Sequence, residues 1–125
     1  MTDTVNYFIN IMDLCNGDID VVLEISSDMV NLFAEEINHI NQSMRQGDYD
    51  TLTKSAHKLR SAVVNFEMDA AAILLNRLEQ MAKEGKIITE DDIHQAKRII
   101  ELLQKEIDAF QRAFLRLRSS ADESL

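Results

Sequence analysis

One histidine, His57, lies in the run of residues 54–66, KSAHKLRSAVVNF, among cationic, small and apolar neighbours. Lys54, Lys58 and Arg60 fall within one helical turn of it, and Asp50 is the only carboxylate between residues 49 and 66. In a chain of formal net charge -9 this is a local reversal of sign, suited to holding a phosphoryl group carried on the imidazole. Neutral imidazole, whose ordinary pKa is about 6.5, is a nucleophile near pH 7 and needs no neighbouring base. Lys58 points about 100° away from His57 around a helix axis, so it contributes less than Lys54 or Arg60. Ser61, one turn further on, is small enough to let another protein approach the ring, and Val64 offers that protein an apolar contact.

A second constellation points to different chemistry. Glu36-Ile37-Asn38-His39 has the Glu-x-x-His spacing of carboxylate-bridged metal bundles, and Asp91-Asp92-Ile93-His94 is an imperfect second copy. Its levels do not match, because His94 belongs to the first turn of a helix at a bundle end, whereas a dinuclear site needs ligands converging inside the core. No Gly-rich phosphate loop, Walker sequence or acidic Mg²⁺ cluster is evident, so kinase chemistry with its own ATP is not expected.

The elements that must carry these residues are helices. The 125 residues include no proline and three glycines and are rich in Ala, Leu, Ile, Glu, Lys and Met, which favours one all-α domain. Net charge -9 would repel nucleic acid and anionic membrane, and no 18-residue apolar run suggests a span. The lone Cys15 has no intramolecular partner and the acidic N-terminus lacks signal-peptide character, so a cytoplasmic location is expected.

Apolar periodicity places a short helix over residues 5–14, stopping at Cys15-Asn16-Gly17. A long one begins near Asp18 or Asp20 and runs to about Arg45, with Val22, Ile25, Met29, Leu32, Phe33, Ile37, Ile40 and Met44 on one stripe. Ser26-Ser27-Asp28 leaves one helix or two open. Gly47 suits a helix stop and Asp48 the N-cap of the next helix, over residues 49–66. A fourth starts near Asp69 and ends before Gly85. Thr89 caps the fifth, with Asp92 three places on, and residues 119–125 form a flexible tail beyond a bundle of residues 1–118.

Short turns between amphipathic helices give an antiparallel four-helix bundle with the first helix packed across it. One bundle accounts for the apolar residues, so a monomer is expected. On the helix of residues 49–66, Leu52, Ala56, Leu59, Val63 and Phe66 share the core direction, and His57 lies about 140° from it, facing solvent. Ser61, Lys54 and Val64 lie at about 180°, 200° and 120°. In the neighbouring antiparallel helix a residue between Glu35 and Asn38 would orient the ring, Glu36 being the choice.

The run Ala56-His57-Lys58-Leu59-Arg60-Ser61 resembles the signature of histidine-containing phosphotransfer (HPt) domains, Ala-His-x-Leu-Lys-Gly. The order of helices resembles that family over nearly the whole chain. The resemblance implies that His57 accepts a phosphoryl group from the aspartyl-phosphate of a receiver domain and passes it to another. The receivers would belong to response regulators or hybrid sensor kinases and supply the Mg²⁺, so the chain itself needs no cofactor. Arg60 matches the family's lysine, Ser61 replaces its glycine, and Glu67 stands where a second glycine is common. The first helix, with Ile9 and Met12, would border the docking face. The rival that keeps the fold is an adaptor that binds a receiver or kinase through this face without accepting phosphate.

Overall fold

The computed structural model describes residues 7–123. Its helices are α1 (Ile9–Leu14), α2 (Ile19–Gln46), α3 (Tyr49–Val63), α4 (Asp69–Lys83) and α5 (Glu90–Glu123), with a 3₁₀ turn at Val64–Phe66 prolonging α3, and there is no strand among the described residues. Residues 5 and 6 of the expected first helix, and 124 and 125 of the expected tail, lie outside the described residues.

Local chemistry fixes most boundaries. The Asp18 carboxylate accepts from the Val21 N–H at 3.3 Å and opens α2. Gly47 closes it in the left-handed region, φ 67°, and the Asp48 N–H returns to the Ser43 carbonyl at 2.9 Å. Asp48 then caps α3, accepting from the Thr51 N–H at 3.2 Å and the Thr51 hydroxyl at 2.7 Å. At α5 the Asp92 N–H donates to Thr89 Oγ1 at 3.1 Å while the Thr89 N–H donates to Asp92 Oδ2 at 2.9 Å, a reciprocal capping box.

One point that the sequence left open is answered, and one boundary differs from the expectation. The Ser26-Ser27-Asp28 triplet does not interrupt α2, because Ser26 lies on the buried stripe with Val22 and Met29 and the helix continues through it. The fifth helix passes Arg118 and runs to Glu123, taking in most of what was expected to be a tail. Residues 119–123 contain no helix breaker, and half-buried Ala121 sits near Ile19 and Leu23 at the start of α2.

The helices form an antiparallel bundle in which α2 neighbours α3, α3 neighbours α4, α4 neighbours α5, and α5 closes on α2. Leu52, Ala56, Leu59 and Val63 of α3 are fully buried, each large one contributing about 2 kcal/mol of hydrophobic stabilisation. Phe110 of α5 anchors one end of the core, with the rings of Phe66, Phe8 and Phe33 at 5.0, 5.5 and 5.5 Å. Through Phe8, α1 is fastened to the end of α3, and Asn10 Nδ2 donates to the Asn65 carbonyl at 3.2 Å.

Candidate functional site

Successive residues of α3 point about 100° apart, so His57 and Lys58 straddle the outward direction and lean toward opposite neighbours. Each meets a buried carboxylate. On the α4 side, His57 Nδ1 lies 3.0 Å from Glu79 Oε2, and Arg60 Nε donates to Glu79 Oε1 at 2.8 Å. On the α2 side, Lys58 Nζ lies 3.2 Å from Glu36 Oε2, and the His39 ring stands 3.4 Å from the other oxygen. The ring of His57 therefore sits on a helix clamped by an ion pair on either flank.

The expectation that Glu36 orients His57 is corrected by this arrangement. Glu36 holds Lys58, and the carboxylate at the ring is Glu79, which the sequence reading missed. A signal for it existed: Glu79 lies four residues after Leu75 and three before Ala82, on the buried stripe of α4, where a carboxylate must find cationic or hydrogen-bonding partners. Choosing between α2 and α4 as the neighbour of His57 required the hand of the bundle, which periodicity does not contain.

Burial pushes both carboxyls up, but their partners reverse the effect. Hydrogen bonds from Arg60 and His57 together with the Arg60 charge hold Glu79 below the usual carboxylate value. Glu36 is held down in the same way by hydrogen bonds from His39, Lys58 and Ser55 and by the Lys58 charge. Glu79 is thus an anion at neutral pH, and the neutral tautomer of His57 that carries its proton on Nδ1 is the one that donates to it. In that tautomer the lone pair is on Nε2. Since the His57 side chain is 58% exposed and Glu79 only 7%, the ring is held from the protein side and open on the other.

The remaining candidates divide. Lys54 pairs with Asp50 at 3.1 Å, both well exposed. Ser61 and Val64 are exposed on the outer side of α3, as the helix wheel implies, with Val64 at 59%. Ile9 is partly exposed and Met12 packs half-buried against the core, in the helix that abuts Val64–Phe66. Glu67, in place of a glycine, adopts the left-handed conformation with φ 54°. Of the metal reading, Glu35, Glu36 and His39 bring ligand atoms within 4.8 Å, but His94 and Asp91 are not part of that group and Glu36 is already engaged by Lys58.

The exposed imidazole of His57 thus stands on the third helix of the bundle with its Nδ1 against a buried carboxylate. The family model of the Hpt domain matches residues 24–113. The chain belongs to the Hpt domain family. Comparison with curated proteins and with solved structures returned no match. The matched segment spans α3 and α4 entirely and most of α2 and α5, so every residue of the His57 cluster lies within it. As an Hpt domain the chain has a histidine phosphotransfer role in two-component phosphorelay, is a phosphotransfer module without kinase activity, and works with receiver domains. Among the described residues no helix is long and apolar enough to cross a membrane.

Proposed function

We propose that His57 is the phosphoryl acceptor, taking the group on Nε2 from the aspartyl-phosphate of one receiver domain and delivering it to the aspartate of another. The observation that carries this reading is the contact between His57 Nδ1 and the buried Glu79 carboxylate on a side chain that is otherwise largely exposed, so that Nε2 is the nitrogen Glu79 does not engage. Arg60 stands beside the reacting ring, and Lys54 and Lys58 add positive potential on the same helix. Ser61 and Val64, with Ile9 and Met12 of α1, form the docking surface, Ser61 acting as a steric filter on which receivers fit. Glu36 supports this surface indirectly, by fixing Lys58 and with it the roll of α3.

In this reading the chain works as a cytoplasmic monomer without a nucleotide site or metal of its own. The Mg²⁺ and the aspartate belong to the receiver, and the contribution of this protein is a positioned nucleophile. Its partners are receivers of response regulators or of hybrid sensor kinases; nucleic acid and membrane are not among them.

The test is incubation with a phosphorylated receiver, comparing wild type with His57→Gln. Acid-labile, base-stable label on the wild type alone is expected. Equal binding of both proteins with label on neither would replace phosphotransfer by an adaptor role.

A further inference from the structure

His57 Nδ1 has two neighbours of opposite kind. Glu79 Oε2, an acceptor, lies at 3.0 Å, and Arg60 Nη2, a donor, lies at 3.1 Å. One ring nitrogen cannot use both at once: carrying a proton it donates to Glu79, and without one it accepts from Arg60. The guanidinium stays in place in either case, because its Nε is bonded to the other oxygen of Glu79 at 2.8 Å. This needs the two-pronged side chain of an arginine. A lysine has one nitrogen and cannot hold the carboxylate and the ring from two fixed positions.

We propose that Glu79 and Arg60 divide the two protonation states of the phosphorylated ring between them, Glu79 holding the reactive form and Arg60 the stored form. The idea rests on His57 being the acceptor. On loading, the Nε2 lone pair forms the N–P bond while the bond from phosphorus to the receiver's carboxylate oxygen breaks, and its electron pair leaves with the aspartate. The ring keeps its Nδ1 proton, becomes cationic and is stabilised by Glu79. Loss of that proton to solvent leaves a neutral phosphoimidazole, a poorer leaving group, whose Nδ1 lone pair accepts from Arg60 Nη2. Reprotonation restores the cation; the N–P bond then breaks, its pair returning to Nε2 as phosphorus passes to the next carboxylate oxygen.

The other charged groups around the ring are occupied. On α3, Lys54 is paired with Asp50 and Lys58 with Glu36; from α2, Glu36 and His39 face Lys58; from α4, Glu79 faces the ring itself. Arg60 and Glu79 are therefore the pair whose removal should move the chemistry in opposite directions.

The experiment loads the intact protein with potassium phosphoramidate and follows the half-life of phosphohistidine by ³¹P NMR from about pH 5 to about pH 9, with the Nδ1 ¹⁵N shift as a second readout. Arg60→Met should shorten the half-life about tenfold at the alkaline end, the loss of one charge-assisted hydrogen bond. It should also start the acid-side fall at a higher pH than wild type, whereas Glu79→Gln should start it at a lower pH. The double variant should return toward wild type, and Arg60→Lys, which keeps the charge, should fall between wild type and Arg60→Met. A loaded wild type whose two single variants share its profile, or shift the same way, overturns the division of states while leaving phosphotransfer intact. A wild type that takes no phosphoryl group at His57 overturns both.

Discussion

Lys58 has the exposure of an ordinary surface residue, yet its removal should behave like a core defect. Its side chain is 57% exposed, but its partner Glu36 is 4% exposed, so the two halves of the pair stand in different media. Glu36→Gln releases Lys58 into water it already touches, and should cost at most about 0.5–1 kcal/mol. Lys58→Met instead strands a buried carboxylate with only the Ser55 hydroxyl and the half-exposed His39 ring. Breaking a fully buried pair from one side costs about 3–5 kcal/mol; with one edge open to water here, about 1–2 kcal/mol is expected. For a domain of this size that is a fall in Tm of roughly 5–10 °C. Adding Glu36→Gln to Lys58→Met should recover most of it. The sign with pH is also set: the Glu36 carboxyl is held below the ordinary glutamate value, so the pair stabilises fully above that ordinary value and is lost as pH falls through the lower folded value. Urea and thermal melts of the four proteins at neutral and acid pH read all of this. A Lys58→Met protein within about 0.5 kcal/mol of wild type at pH 7 would refute the reasoning, since ordinary surface substitutions have effects no larger than this.

Glu67→Gly should raise stability by about 0.5–1 kcal/mol, because residue 67 has φ 54° and glycine removes the side-chain penalty there; an unchanged or lower melting point would count against it. The Ser26 hydroxyl is buried with no hydrogen-bond partner among the described residues, so Ser26→Ala should be neutral or stabilising by up to about 1 kcal/mol, where most core changes destabilise; a loss of more than about 1 kcal/mol would show that the hydroxyl is bonded in solution. Val64→Lys should leave the unfolding free energy within about 0.5 kcal/mol of wild type and weaken receiver binding, read by titration calorimetry; unchanged affinity would remove Val64 from the docking surface.

The core and its breaks were legible because they are periodic. Leu52, Ala56, Leu59 and Val63 repeat at helical spacing, and Gly47 with Asp48 encodes a stop and a start in two residues. The outward placement of His57 follows from the same wheel. Its partner was not legible from apolar residues alone: Glu79 is a polar residue on a buried stripe, and its meaning depends on α4, not α2, lying on the His57 side of α3. The end of α5 escaped for the opposite reason. Residues 119–123 are polar and carry no stripe, but nothing in them opposes a helix that is already propagating.

The central claim is that Nε2 of His57 takes the phosphoryl group while Nδ1 is held by Glu79. The most direct measurement is ¹H–¹⁵N correlation of the imidazole nitrogens before and after loading from a phosphorylated receiver. The account predicts an Nδ1–H tautomer before loading and phosphorus coupling to Nε2 of His57 after it. Coupling to Nδ1, label on His39 or His94, or no phosphohistidine at all would contradict it.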